Sequence, residues 1–102
     1  MTVPRWLSAQ MRDVLIEHID QRCAVDIHDW VRMASLRALI DRRLIAFMHE
    51  HRSLRMVESY ITDAGREVLA AVLADYADAL IRAGHKAEIR AETQDTLPEP
   101  VA

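Results

Sequence analysis

Cys23, His28, His49 and His51 are side chains of types that could do chemistry. A thiol and an imidazole could act as nucleophile and base, and the same four residues could hold a metal ion. Their spacing supports neither use. There is no Cys-x-x-Cys, no His-x-x-x-His on a helical stretch, no acidic cluster at ligand spacing and no Gly-rich phosphate loop. The expectation is therefore no catalytic residue, no metal and no cofactor, with Cys23 a buried or bystander thiol. The remaining chemistry belongs to arginine. Six Arg lie between Arg32 and Arg55, against Asp41 and Glu50, a local balance of +4. Guanidinium groups grip phosphates and base edges, so nucleic acid is the chemistry that this stretch would serve.

The charge of the whole chain opposes that reading. Its 102 residues carry a formal net charge of −3. From Met1 to Val57 there are nine Arg and seven acids, a balance of +2; from Glu58 onward four bases face nine acids, a balance of −5. The basic character is confined to the middle third. Length and a hydrophobic share of 51% suit one small, mainly helical domain. No apolar run reaches the length of a membrane span. The opening "MTVPRWLSAQM" lacks the apolar core of a signal peptide, and a single cysteine allows no internal disulfide. Both features point to the cytoplasm.

The elements that must position these residues follow from periodicity. Ser8 is placed to cap a first helix, whose Met11, Val14, Leu15 and Ile19 recur at helical spacing. Cys23 to His28 alternates loosely and reads as a short strand. A second helix is expected from Asp29, its cap, to Arg42. Its Met33, Leu36, Leu39 and Ile40 share the core side. Leu44–Glu50 and Leu54–Ile61 read as two strands of a hairpin around His51-Arg52-Ser53. Thr62 caps a long apolar-periodic helix from Asp63, with Gly84 as its expected C-cap. The tail, 93–102, with two prolines and no periodicity, is expected to be disordered.

Two blocks in this order resemble a known family. "LRALIDRRLIAF", Leu36 to Phe47, is similar to the end of a winged-helix recognition helix running into the first wing strand. "YITDAGREVL", Tyr60 to Leu69, is similar to the junction leaving the wing in MarR-like and related regulators. The resemblance spans about Ser8 to Ile81. It implies a mainly α fold with a small β-hairpin wing (α+β), a winged-helix domain over 1–62 and a long C-terminal dimerisation helix over 63–92. Two departures stand out. Arg43 occupies the family's Gly position, where a left-handed backbone costs a non-Gly residue about 1 kcal/mol. The middle helix of the helix-turn-helix is missing or reduced to a turn around "DIHDW".

The implied function is a small DNA-binding transcriptional regulator, acting as a cytoplasmic homodimer on a palindromic site in double-stranded DNA. On a helical wheel the second helix turns Trp30, Val31, Ala34, Ser35, Arg37, Ala38, Asp41 and Arg42 away from the core. Ser35, Arg37 and Arg42 suit base edges and phosphates. By the resemblance, Arg52 at the wing tip and then Arg55 reach the minor groove or the phosphates. Val72, Leu73, Tyr76, Leu80 and Ile81 continue the apolar stripe of the last helix and are the expected dimer interface. The alternative is a truncated winged helix that binds another protein, an adaptor or phage-type inhibitor, through Trp30 and Val31, and does not bind DNA.

Overall fold

The computed structural model describes the backbone of residues 2–95 and side chains as far as residue 85. The described chain is an α+β fold of three helices and one small antiparallel sheet. In order it runs α1 (Ala9–Glu17), β1 (Arg22–Asp26), α2 (Trp30–Asp41), β2 (Ile45–His51), β3 (Met56–Ile61) and α3 (Asp63–Asp95). The strands lie in the order β1-β3-β2, so the hairpin partner β3 is central and β1 completes the sheet on its far side. Contacts divide the chain into two compact units, Met1–Val72 and Leu73–Ala102. The first therefore takes the opening turns of α3, and the division falls inside that helix, later than the expected boundary at 62.

Each helix start has a local cause. Ser8 Oγ accepts from the Met11 amide at 3.2 Å, and Asp29 Oδ1 accepts from Arg32 N–H at 3.1 Å. Both satisfy donors that a helix N-terminus leaves without intrahelical partners. α1 buries Met11, Val14 and Leu15 as its spacing requires. It ends at Glu17, before Ile19, and Ile19 turns out to solvent. His18 takes the buried place instead. α2 buries Leu36 and Leu39 and half-buries Met33 and Ile40. Leu15 and Leu39 are fully enclosed, and truncating either to Ala would cost about 2–5 kcal/mol.

Both corners around the hairpin use left-handed backbone without glycine. Arg43 sits at φ 60° between α2 and β2, as its position in the sequence implied. Arg55, at φ 54°, closes the four-residue turn Arg52–Arg55. That turn explains why β3 begins at Met56 and not at Leu54. A register shift between Phe47 and His49 leaves Met48 bulged on β2.

The junction from β3 to α3 is the tightest part of the fold. Thr62 Oγ1 lies 2.7 Å from Arg43 O and 2.9 Å from Leu44 O, and its one proton can serve either. The same oxygen accepts from Gly65 N–H at 3.1 Å, and Thr62 N–H donates to Leu44 O at 3.0 Å. One residue thus caps α3 and ties it to the start of β2. A Cβ on Gly65 would collide with the Leu44 carbonyl and stand 2.7 Å from Ile61 Cγ1. Glycine is needed here for close approach, not for a positive φ.

α3 does not stop at Gly84. It continues to Asp95, past the expected end at 92, and Gly84 is an interior residue with no neighbour waiting for a side chain. Helix also covers 93–95 of the expected disordered tail; the rest of that tail lies outside the described residues. No described helix is long and apolar enough to cross a membrane.

Candidate nucleic-acid interface

The turn before α2 decides what that helix can present. Only Ile27, His28 and Asp29 separate β1 from α2. Asp26 Oδ1 accepts from His28 N–H at 2.8 Å, and Asp29 N–H donates to Asp26 O at 3.0 Å, which folds the three residues into a tight turn. No helix fits there. The first turn of α2 is left uncovered, and Trp30 is 80% exposed with Val31 exposed beside it.

Arg37 stands exposed on α2, at the rim of a shallow hollow of about 280 Å³ between α2 and β2. Met33, Ile40, Phe47 and Val57 make its apolar wall, and Asp41 sits with Arg37 at its edge. Arg42 is exposed, but its guanidinium stacks 3.8 Å over the Trp6 ring, a cation–π contact that holds it toward the N-terminal segment. Arg52 is exposed in the hairpin turn. Arg55 is exposed too, and its Nη1 donates to His28 Nε2 at 3.2 Å. With Ile27 N–H donating to Arg55 O at 2.9 Å, this brings the hairpin turn against the start of α2.

Ser35 corrects the wheel. It is buried, and its hydroxyl donates to Val31 O one turn back at 3.2 Å. A serine that satisfies its own hydroxyl this way can face the core, so Ser35 is not a contact for DNA. Val72 is corrected likewise. It is fully buried in the core of the first unit and cannot serve a dimer interface. Leu73 and Tyr76 are partly open, and Leu80 and Ile81 are 72% and 70% exposed.

Of Cys23, His28, His49 and His51, the structure brings together His49 and His51 alone. His28 meets Arg55, while Cys23 Sγ points to Glu17 Oε2 at 3.8 Å. Burial, with the neighbouring Glu17 carboxylate, pushes the thiol above its ordinary pKa, so it is a weak nucleophile near neutrality. His49 and His51 meet edge to face at 4.5 Å, and His51 Nε2 donates to Glu58 Oε2 at 2.9 Å. That hydrogen bond holds the Glu58 carboxyl below the usual range. Among the described residues no three His, Cys, Asp or Glu gather as metal ligands.

Two contacts of this surface, Trp6 with Arg42 and His28 with Arg55, carry no signal in the sequence. Neither pair shares a helix or a strand register, so no spacing signals them. Compared with protein families, curated proteins and solved structures, the chain matches none.

Proposed function

We propose that this protein is a winged-helix regulator that binds double-stranded DNA through α2 and the hairpin turn. The observation that carries the reading is a set of exposed arginines, Arg37 on α2 and Arg52 and Arg55 on the hairpin turn, which meets the turn leading into α2 through Arg55 and His28. The helix-strand-helix-hairpin-helix order and the β1-β3-β2 sheet agree with a winged helix whose middle helix has become a turn. Arg37 would read a base edge and Arg52 would hold phosphate. The exposed Leu73, Tyr76, Leu80 and Ile81 would join two copies, which a domain with so few free arginines needs for affinity.

The test is a gel-shift across salt with the DNA upstream of its own gene. Log affinity should fall linearly with log salt. Arg37→Ala should weaken specific binding by about 1–3 kcal/mol and spare random DNA. Arg52→Ala should weaken all sequences alike and flatten the salt slope by about one unit. Salt-independent or undetectable binding would remove this reading.

One observation favours a second reading. Trp30, at 80% exposure, next to Val31 and close to Asp26 and Asp29 in sequence, suits a protein partner better than a polyanion. Under that reading Trp30→Ala abolishes partner binding and leaves any DNA affinity intact.

A further inference from the structure

The outer face of the sheet carries a second cationic feature, away from α2 and the hairpin turn. Along β3, Val57, Ser59 and Ile61 point inward, so Tyr60 points to the opposite side. Its cross-strand partner on β1 is Arg22, which puts the two side chains next to each other on that outer face. The first turn of α3 brings Arg66 to the same place. Together with Gln21, Met48 and Ile61 these residues line a hollow of about 240 Å³.

Its lining is cationic on one side and apolar on the other. Two of the lining residues are Arg and none is acidic, in a chain of net charge −3. Arg66 has a long contact of 3.7 Å to Asp63, which is fully exposed and does not line the hollow, so most guanidinium donors remain available. Arg22 feels the Glu58 carboxylate on the same face, which also accepts from His51 and does not line the hollow. The positive end of the α3 dipole adds to the field of Arg66. The other wall is apolar. Met48 stands at the bulge in β2, and Tyr60 and Met48 are both exposed among the described residues. Gln21 closes the corner in a left-handed conformation, φ 81°, which costs a side-chain-bearing residue strain. Strained backbone, a bulge and paired arginines around one hollow are features that binding sites concentrate.

We propose that this hollow binds a small amphipathic anion, a carboxylate or phosphate with an apolar tail, its charge held by Arg22 and Arg66 and its tail lying on Met48 and Tyr60. Two guanidinium forks offer the directional donors that an oxyanion needs. The site lies within Met1–Val72 and does not depend on DNA binding or on a second copy.

Hexanoate is the probe, with acetate and hexanol as the charge-only and tail-only controls, followed by amide chemical shifts in the full chain. Hexanoate should bind saturably in the millimolar range, about what so small a ligand can reach, with shifts centred on Gln21, Met48 and Tyr60. Arg22→Ala and Arg66→Ala should each weaken it about tenfold, and Met48→Glu should abolish it. All three positions are at the surface, so the fold should persist, and unchanged shifts elsewhere would verify that. Equal binding of hexanol would overturn the anion, equal binding of acetate would overturn the tail, and no saturable shift would overturn the site. A failed gel-shift with hexanoate binding intact would sink the DNA reading alone.

Discussion

His18 is the residue on which the packing of α1 against the sheet turns. Its ring is fully buried, with Nδ1 2.7 Å from Val14 O and Nε2 2.7 Å from Ser59 Oγ. A carbonyl can only accept, so Nδ1 carries the proton and Nε2 accepts from the Ser59 hydroxyl. The neutral ring satisfies both ends. Burial holds its pKa below the ordinary 6.5, partly offset by the Val14 carbonyl and by Glu17. The unfolded chain then takes up a proton that the native state refuses, which fixes the sign. The stability due to neutral His18 is fully present above about pH 6.5 and declines as pH falls from there toward the lower, native pKa. Urea midpoints should fall between pH 7.5 and 5.0, and a flat profile would refute the assignment. His18 was not legible in the sequence, because one of its two partners lies 41 residues away. Ser35 was misread for a related reason: a hydroxyl that bonds its own helix behaves as a small core residue, and polarity alone does not reveal this. The caps Ser8, Asp29 and Thr62 were legible because their partners are local.

Among the elements, α3 carries two glycines with opposite consequences. Gly65 lies where the helix presses on the Leu44 carbonyl, so Gly65→Ala must move backbone. It should cost about 1–3 kcal/mol, as overpacking does, read as a lower urea midpoint. Gly84 has open space around it in mid-helix. There Gly84→Ala should raise helicity by circular dichroism and favour the helix by about 1 kcal/mol. A loss of helicity would mean that Gly84 meets a partner closely. The first glycine presses on a carbonyl 21 residues away in the chain. The second was mistaken for a stop, because a glycine near the end of an apolar stripe looks the same whether the helix stops or runs on. The start of β3 falls two residues later than its periodicity suggests because Arg55 supplies a left-handed corner that is more often Gly or Asn.

At the scale of the whole molecule, the second unit presents an exposed apolar face. Leu73, Tyr76, Leu80 and Ile81 are exposed on about 12 Å of helix, far more apolar surface than scattered single residues would give. A second copy burying the same face would cover it, and light scattering at micromolar concentration should give a dimer mass. Leu73→Glu with Leu80→Glu should give a folded monomer. Wild-type monomer, or a dimer that survives both changes, would discard that interface. The α+β class and the order of elements were legible throughout, because each element announces its own period. The way β1 joins the sheet was not, since pairing Arg22 with Tyr60 depends on everything between them.

That pairing has a consequence for how the chain is made. β3 is the central strand, yet it is the last of the three to leave the ribosome. β1 and β2 have no contact in the sheet until it arrives, so neither can hold a place for the other. When the stretch from Met56 to Ile61 emerges, it can zip at once with β2 through the four-residue turn, and only then offer its second edge to β1. During synthesis the N-terminal third therefore has no strand to pair with until these six residues arrive, and one short segment completes the whole sheet.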